Sequence, residues 1–176
     1  MIFTKTKLEG AYIIEIEKHN DERGFFARTW DVNEFKNHGL NSNLVQCNLS
    51  FNKKKGTLRG LHQQLHPFEE AKLVRCTRGK IIDVIIDLNK ESKTYKQWLG
   101  VELSSNNYKA LYVPEGFVHG YQTLEDNTEV CYQTSQFYKP DYEHGVRWDD
   151  KAFDIKWPLK PTFISEKDQI LEDFLL

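Results

Sequence analysis

Five short stretches of the chain carry side chains able to move a proton on and off carbon. TLRGLH at 57–62 is followed by EAKLVR at 70–75, and together they bring His62 and Lys72. PEGFVHGY at 114–121 brings His119, EVCYQTS at 129–135 brings Tyr132, and SEKD at 165–168 brings Lys167 and Asp168. A histidine held by a carboxylate is a competent base near neutral pH. An ammonium stabilises negative charge growing on an oxygen, and a phenol returns a proton from another direction. These groups make a kit for proton exchange at a carbon beside a carbonyl, with no cofactor and no metal required. No G-x-G-x-x-G, G-x-x-x-x-G-K-[ST] or G-x-S-x-G competes with that chemistry.

Taken singly, each residue has a plainer explanation. Lys72 alternates with Leu73 as an exposed strand lysine would. Arg59 and Arg75 have Glu69, Glu70 and Asp83 available for surface salt bridges, worth about 0–1 kcal/mol each. Tyr132 suits a core aromatic with its hydroxyl on backbone, and Asp168 suits a cap on the last helix. His19, His38, His66 and His144 lie in polar surroundings and read as solvated. Cys47, Cys76 and Cys131 form no C-x-x-C pair, and each reads as a small buried hydrophobe.

The elements that must position these groups are short and strand-like. Strands are expected at 11–17, 25–30, 44–51, 57–62, 72–77, 80–88, 97–103, 109–113, 120–123 and 128–136, with a short helix at 33–39. So many strands with little helix between them argue for an all-β antiparallel sandwich, barrel or jelly roll. The run at 81–88 (IIDVIIDL) is apolar on both faces and belongs in the middle. Ser165 is expected to cap a short terminal helix. No composition break appears, so residues 1–176 are expected to form one domain.

Lys and Arg number 24 against 26 Asp and Glu, a net charge of −2, which disfavours a nucleic-acid binder. With 39% apolar and 28% charged residues the chain is built to fold. No apolar run is long enough for a membrane helix. The first residues lack a signal-peptide pattern, so the expected location is cytoplasmic.

The order and spacing of these motifs resemble a known family. DERGFF at 21–26, LRGLH at 58–62, KLVR at 72–75, DVIIDL at 83–88, QWLGVEL at 97–103, VPEGFVHG at 113–120, WDD at 148–150 and SEKD at 165–168 match the dTDP-4-dehydrorhamnose 3,5-epimerases in order. The resemblance implies a metal-free, cupin-like jelly roll (a double-stranded β-helix) with short peripheral helices and no cofactor. It implies epimerisation at C3, C5 or both of a nucleotide-linked 4-keto-6-deoxy sugar, for surface-polysaccharide synthesis. It makes His62 the base, Asp168 its orienting acid, Tyr132 the general acid and Lys72 the partner of the keto oxygen. Arg23, Gln46, Asn48, Arg59, His119, Glu143 and Lys167 match substrate-binding positions. Arg23 matches a residue that reaches the partner subunit's site, which implies a homodimer.

Arg28 stands where the family often has glutamate, Cys47 interrupts the usual QDN triplet, and Gln63 replaces an aromatic. Because Arg28 reverses a charge near the expected nucleotide end, it is a substrate-binding candidate, and dTDP-, GDP- and CDP-linked hexoses or heptoses stay open. Three other classes also stay open. The first is a metal-dependent cupin using His62 and His119, since P-x-G-x-x-H at 114–119 matches half of the cupin signature. The others are a 3,4-ketoisomerase and a non-catalytic nucleotide-sugar binding module.

Overall fold

The two-faced apolar run is the centre of the molecule. In the computed structural model, which describes residues 1–174, Ile81 and Ile85 point into the space between two sheets. Ile82, Val84 and Ile86, on the alternate positions, face outward and are covered by Val146, Phe153 and Trp157 of the C-terminal segment. Both faces of this strand are therefore covered, which is why its sequence does not alternate.

In chain order the elements are β1 (Ile2–Lys5), β2 (Tyr12–Glu15), β3 (His19–Asp21), β4 (Gly24–Phe26) and α1 (Val32–Asn37). They continue with β5 (Gln46–Asn52), β6 (Thr57–Gln64), β7 (Lys72–Arg78), β8 (Lys80–Asp87) and β9 (Trp98–Ser104). Then come β10 (Ala110–Val113), β11 (Phe117–Thr123), β12 (Thr128–Thr134), β13 (Glu143–Gly145), β14 (Phe163–Ile164) and α2 (Glu166–Gln169). One sheet has the order β1-β2-β10-β7-β12-β5. The other has the order β13-β6-β11-β8-β9, with β14 added in parallel to β6. Strands adjacent in sequence repeatedly fall in opposite sheets, the connectivity of a jelly roll. This is the cupin-type double-stranded β-helix with short peripheral helices that the sequence implies.

The main core is shared by the two sheets: Val74, Leu111 and Val130 of the first meet Ile81, Ile85, Leu103 and Phe117 of the second. Helix α1 covers the outer face of the first sheet. Asp31 caps it, accepting from the amides of Asn33 (2.9 Å) and Glu34 (3.2 Å). The helix buries Phe35, 1% exposed, against Tyr12, Leu73 and Tyr112. Burying that ring contributes about 1.5–3 kcal/mol.

Several expectations need correction. The strand expected at 25–30 is only Gly24–Phe26, the second arm of a two-stranded hairpin with β3. Beyond Phe26 the chain leaves the hairpin to reach the Asp31 cap, whose side chain takes the helix amides. Strand β11 begins at Phe117 rather than 120, which puts His119 inside a sheet. Strands β1, β3, β13 and β14 are too short or too polar to signal themselves. Of the cysteines only Cys76 is buried; Cys47 is exposed on edge strand β5 and Cys131 is half-buried beside it.

Strands β6 and β11 approach more closely than side chains permit. A Cβ at Gly60 (φ +112°) would lie 2.7 Å from the Gly120 Cα, and one at Gly120 would lie 2.5 Å from the Arg59 carbonyl oxygen. The register between the strands shifts between His119 and Tyr121 at this point. Gly120→Ala is therefore expected to destabilise the protein by about 1–3 kcal/mol. Urea unfolding should show a lower midpoint at unchanged slope; an unchanged midpoint would contradict the close approach.

Candidate active site

A cavity of about 750 Å³ opens between the two sheets, lined by residues of β5, β6, β7, β11, β12 and α2. Strand register dictates who faces whom. In the first sheet Tyr132 stands opposite Val74 and Asn48, and the next rung on that face, at the end of the three strands, holds Lys72, Thr134 and Gln46. Lys72 and Tyr132 are thus diagonal neighbours on the cavity wall. In the second sheet His62 stands opposite His119 on one side and Gly145 on the other. The imidazole and the phenol line the same cavity from different sheets.

His62 is fixed by the last helix. Its Nε2 lies 2.8 Å from Asp168 Oδ1, while Asp168 Oδ2 accepts the Gly60 amide at 3.1 Å. Ser165 caps α2 by accepting the Asp168 amide at 3.1 Å, so the cap aims the carboxylate as well as starting the helix. Burial would push the Asp168 carboxyl up, but the hydrogen bond and charge of His62, with the Gly60 amide, bring it below its ordinary value. An ionised Asp168 accepts a hydrogen bond from Nε2–H, which keeps the proton on Nε2 and leaves Nδ1 with the free lone pair. Nδ1 lies 4.0 Å from Glu143 Oε1.

Lys72 is 8% exposed, not the exposed strand lysine that alternation suggests. Its Nζ lies 3.0 Å from Glu70 Oε1 and 3.5 Å from the His62 carbonyl oxygen. Burial pushes the Tyr132 phenol up; the Glu70 and Glu143 carboxylates add to this while Arg59 opposes it. The group is held as a protonated acid, the form needed to give a proton away.

Around this centre Arg59 donates from Nε to Asn52 Oδ1 at 2.8 Å, and His119 Nε2 lies 2.7 Å from the fully buried Asp83. Neither arginine makes the acidic pair expected of it, because Arg75 reaches across to the Thr29 carbonyl oxygen at 2.8 Å. Glu143 accepts from the Tyr138 hydroxyl at 2.6 Å and pairs with Lys167. Gln46, Asn48, Arg59, His119, Glu143 and Lys167 all line the cavity. Arg23 and Arg28 do not. The Arg23 side chain is 90% exposed at the β3–β4 turn and pairs with Asp21. Arg28 pairs with Asp31 at 2.8 Å.

Glu70 and Tyr138 line the cavity too, and neither was expected from sequence. For Glu70 a signal existed: two residues before Lys72, an extended chain puts both side chains on one face. Tyr138 lies after β12, where no periodicity points to the cavity. Among the described residues no group of three or more His, Cys, Asp and Glu is arranged to hold a metal ion.

Asp168→Asn is expected to lower turnover by about 10²–10⁴-fold, since an amide no longer enforces one tautomer. It should also flatten the acid side of the stability curve. Folding depresses the Asp168 carboxyl, so its stabilisation is present above its unfolded value (about 3.9) and is lost as pH falls through the lower folded one. Urea midpoints measured from pH 6 down to pH 2 should fall less steeply in the variant.

Comparison with known proteins gives a consistent result. The family model for dTDP-4-dehydrorhamnose 3,5-epimerase matches residues 5–175. The dTDP-4-dehydrorhamnose 3,5-epimerase of Methanothermobacter thermautotrophicus is 45% identical over 170 residues, covering 95% of this chain and 91% of the relative. The crystal structure of the Bacillus anthracis enzyme of the same name, with TDP and PPi bound, superposes with a TM-score of 0.94 at 39% identity, covering 98% of this chain and 99% of that one. A dTDP-6-deoxy-D-glucose-3,5-epimerase from Legionella pneumophila, in complex with dTDP-4-keto-L-rhamnose, superposes with a TM-score of 0.88 at 34% identity, covering 95% and 89%.

Proposed function

The chain belongs to the dTDP-4-dehydrorhamnose 3,5-epimerase family, and from that premise we propose how its cavity performs the reaction. It is an isomerase that epimerises a dTDP-linked 4-keto-6-deoxy sugar at C3, C5 or both. The ketone acidifies the hydrogens on its neighbouring carbons. His62, through the Nδ1 that Asp168 leaves free, removes one of them. The electrons move onto the keto oxygen, where the Lys72 ammonium stabilises the enolate. Tyr132 gives its proton to the opposite face of the same carbon, and the centre is inverted.

One observation carries this reading: His62 stands on one sheet and the Lys72–Tyr132 pair on the other, across a single cavity. Gln46, Asn48, Arg59, His119, Glu143 and Lys167 bind the nucleotide sugar around that centre. Arg23 and Arg28 lie outside the cavity of their own chain, and we assign Arg23 to the site of a second copy in a homodimer. Exposed Phe25 and Phe26 on the same hairpin support a protein contact there. Sedimentation equilibrium should then give about twice 20.8 kDa.

The deciding experiment is deuterium wash-in. Incubation with dTDP-4-keto-6-deoxyglucose in D₂O should place solvent deuterium at C3, C5 or both, and NMR of the product counts the centres inverted. Saturable binding with no label in the sugar would reduce the protein to a binding module. A carbonyl moved along the ring would make it a ketoisomerase.

A further inference from the structure

Lys72 is asked to meet an oxygen that becomes negative only in passing, yet it stands beside a permanent anion. Its Nζ lies 3.0 Å from Glu70 Oε1, and both side chains are about nine-tenths buried, so this is not a solvated surface pair. The Glu70 carboxylate also has Gln64 beside it. Gln64 Nε2 reaches Glu70 Oε2 at 3.5 Å while donating to the carbonyls of Phe68 (2.9 Å) and Phe137 (3.2 Å). Gln64 Oε1 accepts the Lys139 amide at 2.5 Å. Next to Glu70, Ala71 is tied to Ser135 by two hydrogen bonds, from its amide to the Ser135 hydroxyl (2.8 Å) and from the Ser135 amide to its carbonyl (3.0 Å). The segment before β7 is therefore fastened to the end of β12, which holds the Glu70 backbone in place beside Lys72.

An ammonium has three donors on a flexible four-carbon stem. Glu70 takes one and the His62 carbonyl oxygen, at 3.5 Å, lies within reach of a second. That leaves one N–H for the cavity that Lys72 lines. We propose that Glu70 is a positioning residue for the epimerisation: it clamps the Lys72 ammonium so that its remaining N–H faces the keto oxygen. The clamp trades some attraction for orientation, because a neighbouring carboxylate weakens the pull of the ammonium on the enolate. This inference rests on the role proposed above for Lys72.

A double-mutant cycle tests it, with the initial rate of solvent deuterium exchange into the 4-keto sugar as the readout. Lys72→Met should slow exchange about 10²–10³-fold. Glu70→Ala, which releases the clamp, should slow it about 10- to 100-fold with less effect on KM. Glu70→Gln keeps an acceptor oxygen and should retain the wild-type rate or exceed it, since the opposing charge is gone. In the Lys72→Met background Glu70→Ala should have no further effect, because nothing remains to be clamped. A full Glu70→Ala loss in that background would make Glu70 a structural residue and overturn the inference alone, leaving Lys72 its role. A Glu70→Ala rate within threefold of wild type, with Lys72→Met slow, would overturn it in the same way. If Lys72→Met exchanges at the wild-type rate, the assignment of Lys72 and this inference fall together.

Discussion

His62→Asn should lose solvent exchange and inversion together, each by about 10²–10⁴-fold or more. The reason is geometric as well as chemical. Nε2 is committed to Asp168 at 2.8 Å, so Nδ1 is the one imidazole atom left to accept a carbon-bound proton. Asparagine can keep a hydrogen bond to Asp168, which preserves the local structure, but its amide is no base. Exchange is the sensitive readout because it needs only the first deprotonation. If the variant washes deuterium into the sugar at the wild-type rate, the base is another residue. A circular dichroism melt matching the wild type would show that the loss is chemical.

Tyr132→Phe should behave differently. The substitution removes one hydroxyl and leaves the ring packed against the core formed by Val74 and Val130. Inversion should fall by about 10²–10⁴-fold. Exchange should fall less, since His62 can still remove a proton and return deuterium to the same face. The ratio of the two rates therefore reports on the acid. The pH profile gives a second check. The phenol is held above its ordinary value of about 10 by burial and by the carboxylates of Glu70 and Glu143, against Arg59. A raised value keeps the acid form at higher pH, so the alkaline limb of kcat/KM should lie above about pH 10. That limb should vanish in Tyr132→Phe. Equal loss of exchange and inversion, with the limb intact, would assign the donor elsewhere.

The residue types fit proton exchange beside a carbonyl, but each taken singly has a plainer explanation. It is the ordered resemblance to the epimerase family that implies a role for His62, Lys72, Tyr132 and Asp168. The fold class was legible in the chain itself. Period-two patterning marks strands such as β2 and β5, and the unbroken apolar run of β8 marks a strand covered on both faces. Elements that escaped detection carry too little pattern. His19–Asp21 is three exposed polar residues, and Phe163–Ile164 is only two residues long. Both are strands because a neighbour supplies hydrogen bonds, which local sequence does not encode.

Sequence by itself determined which side chains face the same way along each strand, and so that Tyr132 alternates with Cys131 and Gln133. Only the tertiary structure decided which strands lie together. His62 and Asp168 are 106 residues apart, yet their side chains meet at 2.8 Å because α2 docks beside β6. His119 finds Asp83, 36 residues away, while Arg59 and Arg75 turn from the acids available to them to Asn52 and the Thr29 carbonyl. The physical reason is that side-chain direction is set by the backbone within a few residues, whereas contact between strands depends on sheet register and on the burial of the whole core at once.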